Sequence, residues 1–219
     1  VTLLVTTKGF ADVLDTHREM RYDIYDLHGQ PVPHLVPRFL RYEVDGRLDT
    51  FGDEIEPFSE AGLEAMLAEL EDADVVADVG AVAITFINAF ANPVHEERAR
   101  DWFARRMPHV AVSISSEVAP IIREYERMST TVANAYVQPL TAQYLDALTR
   151  ELSDRGYARD LYLMLSSGGV TTVSTAAKFP VRLTESGPAA GALAAKYFGK
   201  LVGHDDLVGF DMGGTTAKM

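Results

Sequence analysis

Short apolar runs rich in Val, Ile and Leu recur along the chain at residues 1–5, 79–87, 110–114, 161–165 and 207–211, with longer segments of helical spacing between them. This alternation constrains the fold more than any single motif. A strand that is apolar on both faces needs cover on both, and helices in the connections supply it. The chain is therefore predicted to be α/β, with a largely buried sheet.

The helical segments carry their own start and stop signals. Leu63, Met66, Leu67 and Leu70 follow the i, i+3, i+4, i+7 rule behind Ser59 as an N-cap. Asn92 is placed to cap a second helix, with Pro93 at its first position, Glu96 and Glu97 facing the dipole, and Ala99, Trp102, Phe103 and Met107 on its apolar side. Helical spacing then runs from about 121 to 155, where Pro139 predicts a break or kink into two helices and Gly156 a C-terminal cap. Residues 22–56 depart from the alternation. Prolines there, followed by Arg41–Arg47 with an Asp-Gly pair, read as a loop and then a hairpin, an insertion suited to covering a site or supporting an interface. Residues 115–120 and 199–206 are the linker candidates.

Composition excludes several function classes. A formal charge of −12 opposes general attraction to nucleic acid or to an anionic membrane, so small-molecule substrates are expected. The absence of cysteine removes disulfides, thiolate metal sites and a cysteine nucleophile. The longest apolar stretch, residues 79–87, is far below the roughly 18 residues of a spanning helix, and no signal-peptide pattern opens the chain, which fits a cytoplasmic protein. The chain begins with Val1 inside a core-like strand, so it is expected to be a piece of a longer polypeptide.

Three glycine-rich segments are candidates for anion binding. Asp211-Met212-Gly213-Gly214-Thr215-Thr216 follows an apolar run: the carboxylate can hold a hydrated cation, the glycines open the backbone to an anion, and the hydroxyls add donors. A tight turn is the alternative. Walker and dinucleotide spacings are absent. Ser186-Gly187-Pro188-Ala189-Ala190-Gly191 opens a small-residue helix that could receive an anion or make a close interhelical contact or hinge. Ser166-Ser167-Gly168-Gly169 ends a strand, where open sheets place ligands or simply turn. His95-Glu96-Glu97-Arg98-Ala99 lacks the second histidine of a zinc-protease motif and reads as a surface helix turn. Glu124 and Glu126 with Arg127 read as a solvated charged face, and Ser115 and Ser116 lack a nucleophile-elbow context.

In order, several segments resemble the A subunit or domain of hydantoinases and 5-oxoprolinases, with the related ketone carboxylase subunits. They are Thr6-Thr7-Lys8-Gly9-Phe10 with Asp12 and Arg18, Asn92-Pro93-Val94-His95-Glu96, Ser115-Ser116-Glu117-Val118 through Glu124-Tyr125-Glu126-Arg127, and Asn134-Ala135-Tyr136. Ser167-Gly168-Gly169-Val170, residues 186–191 and Asp211-Met212-Gly213-Gly214-Thr215 complete the set. The resemblance implies an actin-like ATPase (ribonuclease H-like) fold holding the end of a first lobe, residues 1–114, and the start of a second, residues 115–219.

On that resemblance the intact protein opens cyclic amides such as hydantoin or 5-oxoproline by ATP-driven carbonyl phosphorylation, or serves an ATP-dependent ketone carboxylase. A scaffold fragment without activity of its own is the third reading. Asp211 would be the catalytic and metal-holding residue for Mg²⁺ or a further divalent ion. Gly213, Gly214, Thr215, Thr216, Ser186, Gly187, Gly168 and Gly169 would bind ATP. The implied partners are a hydantoinase B-type subunit or domain within an oligomer. Lys218 stands where many such members carry an acidic residue.

Overall fold

The computed structural model describes residues 1–18, 25, 26, 28 and 32–219, which divide into compact units Val1–Pro139 and Leu140–Met219. In the first unit, β1 (Thr2–Thr7), β2 (Arg41–Val44), β5 (Ala81–Thr85) and β6 (Ala111–Ile114) form one parallel sheet in the order β2-β1-β5-β6. Between β2 and β5 lie the short antiparallel pair β3 (Arg47–Leu48) and β4 (Glu54–Glu56) and the helix α2 (Ala61–Asp72); α1 (Val13–Thr16) follows β1. The sheet places all four carboxyl ends at one edge, and the strand order reverses between β1 and β5.

Both faces of the sheet are covered, as the apolar runs require. One face packs Leu3, Val5, Val82 and Ile84 against Leu63, Met66, Leu67 and Leu70 of α2, and against Ala99, Trp102 and Phe103 of α3 (Val94–Arg106). The other packs Leu4, Ala81 and Ala83 against Leu14 of α1 and Met128, Val132 and Ala135 of α5 (Glu124–Asp154). Truncating one such core leucine to alanine costs about 2–5 kcal/mol, so this two-sided burial dominates the unit's stability.

Several sequence expectations change in detail. Arg41–Val44 is a parallel strand beside β1, and the hairpin lies later, at β3 and β4. Gly46 does not turn a hairpin: at φ +142 its Cα lies against Phe58, where a Cβ would stand 2.9 Å from the Phe58 Cα. The loop expected around 22–38 includes residues 22–24, 27 and 29–31, which lie outside the described residues. The N-cap position of α3 falls on Pro93 and not on Asn92, so the helix starts one residue later than expected; Asn92 caps it from just outside, its Oδ1 accepting from the Val94 N–H at 3.1 Å.

The 31-residue α5 runs without a break through Pro139, because the missing N–H removes one backbone bond while the helix continues on either side. Gly156, at φ +85, ends it, with the Tyr157 N–H reaching back to the Leu152 carbonyl. Residues 115–118 form the short helix α4 (Ser115–Val118) and not a linker.

In the second unit, β7 (Tyr162–Met164) and β8 (Val170–Thr172) pair antiparallel and lead into α6 (Val173–Lys178), whose N-terminus is capped by the Thr172 hydroxyl. Then follow α7 (Ser186–Val202) and a terminal hairpin of β9 (Asp211–Met212) and β10 (Ala217–Lys218). The apolar run at 207–211 is a strand only at its last residue; Leu207 instead packs its side chain against Gly199 of α7. A Cβ on Gly199 would meet the Leu207 Cδ1 at 1.9 Å, so the close approach expected of α7 occurs near its end. Gly187 and Gly191 face open space.

Candidate functional site

The glycine-rich segments singled out in the sequence meet in the second unit. Asp211 to Lys218 folds as a hairpin whose Gly213 N–H donates to the Thr216 carbonyl at 2.9 Å, so Gly213, Gly214, Thr215 and Thr216 form its exposed tip. The Gly214 and Thr215 amides have no intramolecular partner among the described residues. An amide-lined tip beside a carboxylate is chemically suited to an anion carrying a hydrated cation.

The turn after β7 is fixed against the start of α7. The Glu185 N–H donates to Ser166 Oγ at 3.1 Å, and the Ser166 hydroxyl donates to the Arg182 carbonyl at 2.8 Å. Gly168, at φ +84, lies against Leu193, and Gly169 closes the turn by accepting from the Leu165 N–H. The hairpin reaches the same place: Lys218 Nζ pairs with Glu185 Oε2 at 2.7 Å, directly before Ser186 and Gly187. Glu185 thus joins the three segments, a role that no motif signalled. Its pairing with Lys218 gives a structural reason for the lysine at that position.

A groove of about 580 Å³ runs between α7 and the hairpin. Gly191, Ala192 and Ala195 form its small-residue floor, and Lys196, Lys200 and Asp211 bring charge to its walls. The two lysines are contributions that sequence reasoning missed; both lie one or more turns beyond the Ser-Gly-Pro start, four residues apart, so they share a helix face. No cluster of three or more metal-ligating side chains occurs among the described residues, and Asp205 and His204 line the groove with Asp211.

The first unit holds a different polar arrangement, centred on residues expected at the surface. His95 is 1% exposed, with Nε2 on Glu54 Oε2 at 2.8 Å, while Glu96 and Arg127 are 0% and 1% exposed. Of the expected surface helix turn, His95 and Glu96 are buried while Glu97 and Arg98 stay exposed; of the expected charged face, Arg127 is buried while Glu124 and Glu126 stay partly exposed. Burial pushes the Glu96 carboxyl above the usual carboxylate range, opposed by hydrogen bonds from Ser115, Ser116 and Phe86.

Comparison with known proteins assigns both units. Residues 1–107 match the hydantoinase/oxoprolinase N-terminal region and residues 127–219 match hydantoinase/oxoprolinase. This chain belongs to the hydantoinase/oxoprolinase family. It is 34% identical to caprolactamase subunit alpha of Pseudomonas jessenii over 97% of the chain, and 30% identical to 5-oxoprolinase 1 of Arabidopsis thaliana over 99%.

The chain spans only 30% of the first relative and 18% of the second. The crystal structure of ATP-dependent caprolactamase from Pseudomonas jessenii superposes with a TM-score of 0.86 at 33% identity, covering 99% of this chain and 31% of that one. A nucleotide-free acetone carboxylase superposes at 0.82 with 27% identity, again covering 99% and 31%. The α/β fold of the family member is thus the fold of those regions. No described helix is long and apolar enough to cross a membrane.

Proposed function

We propose that this family member is part of an ATP-dependent enzyme that opens a cyclic amide or imide of the hydantoin, 5-oxoproline or caprolactam type. The observation that carries the reading is the convergence of the Asp211–Lys218 hairpin and the Ser166–Gly169 turn on Glu185, at the start of α7. The amide oxygen would take the γ-phosphoryl group of ATP with ADP leaving, and water would then add to the activated carbon, with the ring C–N bond breaking and phosphate leaving. The exposed tip suits such a group: Gly214 and Thr215 offer amide donors, Thr215 and Thr216 add hydroxyls, and no Cβ stands at Gly213 or Gly214.

Asp211 would hold Mg²⁺ through its bound water, on a groove that Asp205 and His204 also line. Ser186, Gly187, Gly168 and Gly169 are proposed to line the nucleotide's approach, and Lys218, occupied by Glu185, to hold the hairpin in place. In this reading residues 1–114 belong to a first actin-like lobe and residues 115–219 open the second, with a B-type subunit as partner in a cytoplasmic oligomer. The naming of the caprolactamase relative as a subunit supports a multi-subunit assembly.

The test is ATP hydrolysis by the full-length protein with its partner subunit, stimulated by caprolactam, 5-oxoproline or hydantoin, or by acetone with bicarbonate. Stimulation by a cyclic amide is expected, with Asp211→Asn lowering it by about 100- to 1,000-fold, the scale of losing one electrostatic contact to the transition state. Stimulation only by ketone and bicarbonate would sink the ring-opening reading in favour of carboxylation.

A further inference from the structure

The buried Glu96 is not used by the proposed nucleotide site, yet it is built into the first unit with unusual completeness. Its Oε1 accepts from the Phe86 N–H at 2.9 Å and from the Ser115 hydroxyl, and its Oε2 accepts from the Ser116 N–H at 2.8 Å. Ser115 Oγ in turn accepts from Arg127 Nε at 3.2 Å. The same guanidinium donates to the Phe86 carbonyl and to the Ile121 carbonyl, both at 3.0 Å. One hydroxyl therefore links a fully buried carboxylate to a fully buried cation, so neither charge is stranded in the core.

What the network holds is the carboxyl edge of the sheet. Phe86 immediately follows β5 and Ser115 immediately follows β6, while Arg127 lies in the first turn of α5. On the neighbouring strand, the Ile87 N–H donates to Thr7 Oγ1 at 3.0 Å and ties the end of β5 to the end of β1. The strand order reverses between β1 and β5, the place at which open parallel sheets present their ligands. A purely structural pair could be replaced by apolar residues. This one fixes the ends of β5 and β6 at the carboxyl edge, where the separate Ile87–Thr7 bond adds the end of β1.

We infer that Glu96, acting with Arg127 through Ser115, is a positioning residue that sets the carboxyl edge of β1, β5 and β6 as the surface receiving the organic substrate. The ring-opening reading is needed only for the identity of that substrate, a cyclic amide. Glu96→Gln replaces one acceptor oxygen with a donor, so it faces an N–H or hydroxyl that then has no acceptor, without changing side-chain volume. Ser115→Ala removes the link to Arg127 and leaves the carboxylate.

Two measurements test the assignment. Hydrogen exchange on the full-length protein should show the Phe86 and Ser116 amides exchanging at least tenfold faster in Glu96→Gln, with α2 amides unchanged. Steady-state kinetics of the full-length enzyme should show the KM for caprolactam or 5-oxoproline rising at least tenfold in both variants, with the KM for ATP within twofold. Unchanged exchange at Phe86 and Ser116 would overturn the network. Faster exchange with equal losses for amide and ATP would overturn the positioning role and leave a general fold defect. A wild-type enzyme that no cyclic amide stimulates would fail the ring-opening reading alone; the same KM split is then read with acetone, and its absence there overturns the inference.

Discussion

Single residues in this chain are decided by what lies opposite them. Gly46 has an ordinary Asp-Gly context in sequence, but its φ of +142 and the approach of Phe58 leave no space for a side chain. Gly46→Ala should lower stability by about 1–3 kcal/mol through strain and displaced packing, read as a fall in thermal midpoint with unchanged far-UV circular dichroism at low temperature. Glu96 gives a pH prediction. Its folded carboxyl titrates above its unfolded value, so the native state takes up the proton first and stability from this group rises as pH falls through the folded value towards the ordinary carboxylate range. Denaturant unfolding across that window should show this slope in the wild type and lose it in Glu96→Gln.

At the scale of elements, the first turn of α3 couples a helix cap to a strap. Asn92 accepts from the Val94 N–H and donates through Nδ2 to the Gly52 carbonyl at 2.8 Å, while Asn88 Nδ2 donates to the Leu48 carbonyl at 2.9 Å. Arg98 adds its guanidinium over the Phe58 ring at 4.9 Å, so residues 47–58 are fastened along the helix start. Asn92→Ala removes both the cap and one fastening and should cost about 1–2 kcal/mol, with amide exchange rising at 52–54 as well as at 94–96. Asn92→Asp keeps the cap but loses the donor to Gly52, so it should restore helix protection and not strap protection. The cap was legible because Asn-Pro before Glu is a local signal. The fastening was not, since Gly52 is 40 residues away in sequence.

For the whole molecule, the net charge of −12 governs encounters beyond the folded core. Fluorescence anisotropy with a labelled 20-mer DNA at about 0.15 M salt should detect no binding at micromolar protein, whereas binding there would reveal a local cationic face that the charge balance conceals.

The sequence by itself determined the α/β class, the apolar faces of α2 and α3, the end of α5 at Gly156, and the family. Each follows from periodicity, local caps or ordered motifs, which are properties of neighbours in the chain. The tight turn at Asp211–Thr216 was legible from its glycines, while its closure into a hairpin with Ala217–Lys218 came from the structure. Tertiary structure decided that Arg41–Val44 is a sheet strand, that Glu185 gathers the glycine-rich segments, and that His95, Glu96 and Arg127 are buried. A charged side chain reads as exposed until something covers it, and its cover comes from residues 12 to 41 positions away: Ser115 and Phe86 over Arg127, Glu54 over His95. Burial and pairing depend on three-dimensional neighbours, and local spacing carries no record of them.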